Sequence, residues 1–220
     1  MPAQPYPIVL TGLHKMRCVV VGGGSVAERK VEGLLECAAL VTLVSPELTD
    51  QLQAWHAEGR FEHINRAFRG GDLAGAALAI AATSDRAANA EVAREAHQVG
   101  ILVNVVDDPD AGNFNTVAAV RQRHLLLAVS TGGASPAVAA LVRHKLETMF
   151  GPEYGELLAL LAELRQGAMR EVPAHKRAHI WRRLASDEVL DWLRAGQRER
   201  VQKYAQQLIE QAHNNVDLRF

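Results

Sequence analysis

The sequence predicts an α/β fold: a parallel sheet with crossover helices that gives way to a helical C-terminal part. Three observations predict it. From residue 17 onward the hydrophobic period switches repeatedly between short apolar runs and helical stripes. The first apolar run, Arg17-Cys18-Val19-Val20-Val21, leads directly into the glycine-rich turn Gly22-Gly23-Gly24-Ser25. From Gly151-Pro152 to the end no strand signal appears.

The elements follow in order. After the glycine turn, Val26, Val31, Leu34, Leu35 and Ala38 form one face of a helix whose other face carries Glu28, Arg29, Glu32 and Glu36, which completes a βα unit. Leu40 to Val44 reads as the next strand, Phe61 to Arg66 as a weaker alternating one, and Ala77 to Ala82 as a buried one. A helix from about Asn89 to Val99 stops at Gly100, and Ile101 to Val106 resumes the sheet before the acidic break Asp107-Asp108-Pro109-Asp110. His124 to Ser130 reads as a further strand, followed by a helix ending near Phe150 with Ser135 as N-cap and Pro136 as first residue. Beyond it, the stripes Leu157, Leu158, Leu161, Leu164 and Leu184, Val189, Leu190, Leu193 predict amphipathic helices broken by Pro173 and near Gly196, with fraying over 213–220.

Composition bounds the function. A chain of 220 residues, 48% hydrophobic, can bury a sizeable core, and its formal net charge of −1 provides no global field toward nucleic acid or an anionic membrane. The two cysteines lack metal-ligand spacing, the start from Met1 to Tyr6 lacks the marks of a signal peptide, and no apolar stretch is long enough to span a bilayer. A cytoplasmic protein is expected. Among nine histidines no pair has a known zinc spacing; His175 and His179, four apart, read as a solvated helix face, and no tightly held metal is expected.

Gly22-Gly23-Gly24-Ser25-Val26-Ala27 fits the fingerprint G-x-G-x-x-G/A of dinucleotide-binding domains. Gly22 allows the tight turn, Gly24 lets backbone approach a pyrophosphate, and Ala27 permits close helix packing, while the helix N-terminus faces the phosphate. A glycine turn without ligand has the same six residues, but its position between a strand and a helix favours dinucleotide binding. The acidic ribose anchor expected about 20 residues on is absent, since the chain has Ser45-Pro46-Glu47 there. Glu47 is the fallback, and preference for NAD over NADP does not follow from this position.

Four linked motifs carry a resemblance. Val19 to Lys30, Ala79 to Asp85, Asn104-Val105-Val106-Asp107 and Ser130 to Pro136 resemble, in order and spacing, the precorrin-2 dehydrogenase and sirohydrochlorin ferrochelatase family. This module is the N-terminal half of fused siroheme synthases, and the match is strong over about residues 6 to 150. The chain stops where a fused synthase would continue into its methyltransferase half, so it resembles the stand-alone form. The resemblance implies a Rossmann-type domain (1–113), a dimerisation region (114–150) and a helical C-terminal domain (151–220). It implies oxidation of precorrin-2, a tetrapyrrole, to sirohydrochlorin with NAD, and in some members insertion of ferrous iron. It also implies a homodimer, to whose interface the stripe Val138, Leu141, Leu146 and Met149 would contribute. In the family, Phe, two residues and Pro usually follow the acidic turn; here Phe114-Asn115-Thr116-Val117 replaces the proline. In some fused members a serine at the position of Thr131 is modified.

The implied cofactor site comprises Gly22, Gly23, Gly24, Ser25, Val26, Ala27, Ser45, Pro46 and Thr83. Asp107, the family's proposed catalytic residue, stands at the carboxyl end of a parallel strand, where a base is suitably placed. It equally fits a turn aspartate before Asp108-Pro109. For the substrate's carboxylates, Arg121 and Arg143 are the candidate cations, together with Arg123, His124, His144 and Lys145; each also fits a solvated surface charge. Thr131, Gly132, Gly133 and Ser135 could present main-chain donors at a helix N-terminus or form an ordinary capped turn. Two rival functions share the fold: a nucleotide-sensing regulatory domain, and a dehydrogenase of another small substrate, for which no Tyr-x-x-x-Lys pair is evident.

Overall fold

The computed structural model describes residues 5–213, so the expectations placed on 1–4 and 214–220 lie outside the described residues. The chain separates into two compact units, divided between Thr116 and Val117.

In the first unit, β1 (Arg17–Val21), β2 (Leu40–Val44), β3 (Glu62–Ile64), β4 (Ala76–Ala81) and β5 (Leu102–Val105) form a parallel sheet in the order β3-β2-β1-β4-β5. Both faces are covered, which explains the near-continuous apolar strands. Cys18, Val20, Leu43 and Ile80 pack with Ala27, Val31 and Leu34 of α1 (Ser25–Glu36). On the opposite face Val19, Val21, Ala79 and Val103 pack with Val92, Ala93 and Ala96 of α3 (Arg86–Val99). The chain leaves β1 toward β2 on one side and returns through β4 on the other. This reversal is the position at which open α/β sheets bind ligands, beyond the carboxyl ends of the strands.

Several boundaries differ from the sequence expectation. The strand expected over Phe61 to Arg66 is confined to Glu62–Ile64. Helix α3 begins at Arg86 rather than near Asn89, because Asp85 caps it by accepting from Ala87 N at 2.8 Å. Helix α2 (Asp50–Ala57) escaped the periodicity because Leu52 is its one buried residue, although Thr49 marks its start by accepting from Leu52 N.

The second unit opens with an antiparallel hairpin of β6 (Ala118–Gln122) and β7 (Leu125–Val129), in which Gln122 faces Leu125 across Arg123 and His124. Strand β6 was not expected; Ala-Ala-Val-Arg-Gln has one buried residue, Val120. Helix α4 (Pro136–Met149) starts as predicted, with Ser135 Oγ accepting from Val138 N at 3.2 Å. It buries no residue, and Val138, Leu141 and Met149 are exposed. Next come α5 (Pro152–Gln166), α6 (Ala174–Leu184), α7 (Asp187–Arg194) and α8 (Arg198–His213). The stripe read through Leu184 and Val189 is broken at Ala185 and Ser186, whose side chain caps α7 at Val189 N. No helix among the described residues is long and apolar enough to cross a membrane.

Candidate functional site

The glycine turn is built by two kinds of glycine. Gly22 has φ 117°, and a Cβ there would fall 2.4 Å from the Ala82 carbonyl oxygen, while its N–H donates to Val44 O. Gly23 is locked equally closely, since a Cβ would meet Glu47 O at 1.8 Å and Ser45 Oγ at 2.7 Å. The fold itself requires both to lack a side chain. Gly24 differs: its backbone is extended, and a Cβ would meet nothing within 4 Å. The space in front of it is open, at the start of a helix that no side chain caps, so α1 offers uncapped N–H groups there. Ala27 is fully buried one turn on, as the fingerprint requires. Gly22→Ala is therefore expected to cost about 2–4 kcal/mol through a forbidden φ and a backbone clash, whereas Gly24→Ala should stay within about 0.5 kcal/mol. Urea unfolding midpoints of the two variants check this.

Around the turn, the strand exits converge. Gly22 N donates to Val44 O, Ala82 N to Val21 O and Val106 N to Ala81 O, so the ends of β2, β1, β4 and β5 form one rim. Ser45 is 5% exposed; its hydroxyl donates to Glu47 O at 2.7 Å and accepts from Glu47 N, so the group expected to meet a ribose closes its own turn. Pro46 and Glu47 are the exposed residues there. Thr83 is clamped by buried Asn89, whose Oδ1 accepts from Thr83 N and whose Nδ2 donates to Thr83 O. Sequence reasoning missed Asn89; a polar residue on the inward face of α3 was the available signal.

The acidic turn after β5 separates its two aspartates. Asp108 does the structural work, its Oδ1 accepting from Ala111 N at 3.3 Å to cap the short 3-10 turn Pro109–Ala111. Asp107 is exposed, and among the described residues its carboxylate takes no hydrogen bond or ion pair. The rim thus holds an uncommitted carboxylate.

The remaining predicted residues lie in the second unit. Thr131 Oγ1 accepts from Ser135 N and donates to Ser135 O, Ser130 Oγ accepts from Gly132 N, and Gly132 and Gly133 both take positive φ. This is a capped turn, with both glycines exposed. Arg143 pairs with Glu147 one helical turn away, and Arg121 is exposed on β6. On α6, His175 is exposed, but His179 is only half-exposed and, among the described residues, its buried Nε2 has no hydrogen-bond partner, contrary to the solvated face expected. No group of three or more His, Cys, Asp or Glu among the described residues is arranged to hold a metal ion.

A parallel sheet reversing at a glycine turn, with open space before an uncapped helix, defines a dinucleotide-binding protein of the Rossmann class. Comparison with known proteins narrows this. A family model described as NAD(P)-binding matches residues 9–127, one described as sirohaem biosynthesis protein central matches 124–149, and one described as sirohaem synthase dimerisation region matches 153–209. The chain is 39% identical over 198 residues to siroheme synthase of Methylobacillus flagellatus, covering 90% of this chain and 42% of that protein. It is 40% identical over 178 residues to siroheme synthase of Methylococcus capsulatus, covering 80% and 37%. The chain thus spans about two fifths of the length of these relatives. A solved structure named SirC, precorrin-2 dehydrogenase, superposes with a TM-score of 0.75 at 25% identity, over 92% of this chain and 100% of that one. The chain belongs to the NAD(P)-binding family whose model covers more than half of it, and the sirohaem biosynthesis central and sirohaem synthase dimerisation regions follow that domain. The matched dimerisation region, 153–209, lies C-terminal to the segment 114–150 expected to pair.

Proposed function

We propose that this protein oxidises precorrin-2 to sirohydrochlorin with NAD as oxidant. The uncommitted carboxylate of Asp107, on the rim that also carries the open Gly24 turn, is the observation that carries this reading. Gly24 and the first N–H groups of α1 hold the pyrophosphate, Gly22 and Gly23 keep the turn in shape, and Pro46, Glu47 and Thr83 flank it. When bound, the nicotinamide supplies the acceptor for the hydride that leaves the macrocycle. Asp107 takes the accompanying proton or orients the carbon that loses it. Thr131, Gly132, Gly133 and Ser135, with Arg121 and Arg143, meet the carboxylates of the substrate. Incubation of precorrin-2 with NAD+ and with NADP+, followed by absorbance, tests the reading: sirohydrochlorin should form, faster with NAD+. Absence of product from folded protein with either cofactor overturns it. Ferrous iron added after oxidation, with siroheme as the readout, tests iron as a further substrate.

The protein works as a homodimer in this proposal. Support comes from the matched dimerisation region and from α4, whose exposed Val138, Leu141 and Met149 need a covering surface. Sedimentation at micromolar concentration should give twice the chain mass; a 24.0 kDa species alone would refute the dimer. Neither Cys18 nor Cys37 is in a disulfide among the described residues, and burial pushes the Cys18 thiol up to about 11, which lowers its thiolate fraction; two unbridged thiols support a cytoplasmic assignment.

A further inference from the structure

The segment that leaves the acidic turn is tied down along its whole length. Ala111 O faces His97 Nε2 at 3.0 Å. Gly112 passes so close to β5 that a Cβ would lie 2.8 Å from Val103 O. Asn113 then behaves as a strand neighbour: its N–H donates to Val103 O at 2.9 Å, its Oδ1 accepts from Val103 N at 2.7 Å, and its Nδ2 donates to Ile101 O at 3.1 Å. Buried Asn104 donates to Phe114 O at 3.1 Å, and the Phe114 side chain packs against the core that includes Ala27 and Val31 of α1. At the far end Lys30 Nζ, reaching from α1, donates to Thr116 Oγ1 at 2.5 Å.

Helix α1 therefore has two engagements. Its first residue, Ser25, directly follows open Gly24, and Lys30, five residues on, grips the last residue of the first unit. We propose that Lys30 is a positioning residue that couples the phosphate end of α1 to the turn bearing Asp107, by pinning Thr116 and so holding the strap 112–116 against β5. Lys30 is half-buried, and burial, with Arg29 beside it, holds its ammonium below the usual lysine value. The bond lies at the surface, with Thr116 exposed, so its contribution is that of a single charge-assisted hydrogen bond. Asn104 Nδ2 donates to Phe114 O and to Asn115 Oδ1, and Lys30 adds the tie at the end of the strap, on Thr116. The inference rests on the proposed role of Asp107, but its structural half can be measured independently of any reaction.

The test uses the full chain with Lys30→Met, Lys30→Arg and Thr116→Val. Amide hydrogen exchange between Asp108 and Asn115 should quicken about tenfold in Lys30→Met and Thr116→Val, in line with the loss of one charge-assisted bond. Lys30→Arg should restore slow exchange. Affinity for NAD should stay within about twofold of wild type and the urea midpoint should hardly move, while kcat for precorrin-2 falls about tenfold at unchanged KM. Lys30→Met combined with Thr116→Val should be no worse than either alone. Unchanged exchange in Lys30→Met overturns the proposal, as does a loss of NAD affinity that matches the loss of kcat. If wild-type protein oxidises no precorrin-2 yet the exchange pattern holds, the reaction assignment fails and the strap assignment stands.

Discussion

Asp107→Asn is expected to lower precorrin-2 oxidation by roughly 10²–10⁴-fold, the usual contribution of a general base, while NAD binding persists. The amide is nearly isosteric with the carboxylate and cannot take a proton. Because Asp107 is exposed and bonds to nothing among the described residues, stability should change by less than about 0.5 kcal/mol. Asp108→Asn is the natural control, since Asp108 caps the following turn; it should cost at most about 1 kcal/mol and leave most of the turnover. A loss near tenfold in Asp107→Asn would assign the carboxylate to orienting the macrocycle. Wild-type oxidation with lost iron insertion would move it to the second reaction and remove it from the first. Following the two products separately distinguishes these outcomes.

The second large effect concerns Gly24→Asp, which should abolish measurable NAD binding in a protein as stable as wild type. The open space before Gly24 accommodates the new side chain without a clash. The same side chain fills the approach of a pyrophosphate and sets a negative charge against it, at a helix end whose partial positive charge it partly cancels. Calorimetric titration with NAD, alongside a urea denaturation curve, measures both halves. Undiminished affinity in the folded variant would refute the cofactor site. The contrast with Gly22, where a methyl group alone should damage the fold, separates a glycine kept for ligand from one kept for backbone.

The sheet and its glycine turn were legible in the sequence because their determinants are consecutive residues. An apolar run, three glycines and an apolar stripe occupy Arg17 to Glu36 without interruption. Strand β6 was not legible, because Ala118 to Gln122 has little strand character of its own and is recruited by β7. That Asp108 rather than Asp107 caps the following turn was not legible either, because the two aspartates are adjacent and either type of residue can cap. The tie of Lys30 to Thr116 joins residues 86 positions apart that only the tertiary fold brings together. The partner of Arg143 is different, because Glu147 stands four residues on in a predicted helix and the pairing rule could have found it.

Asn113 has a consequence for solubility as well. A sheet that ends in a bare strand invites the next molecule to add its own, and successive additions lead to fibres. At the β5 margin the Asn113 amide occupies donor and acceptor positions at Val103 and Ile101 that an incoming strand would need. The opposite margin, β3, spans only Glu62–Ile64, with an exposed carboxylate at its start. One margin is sealed by a side chain and the other is too short and too charged to recruit, so the parallel sheet resists polymerisation from either side.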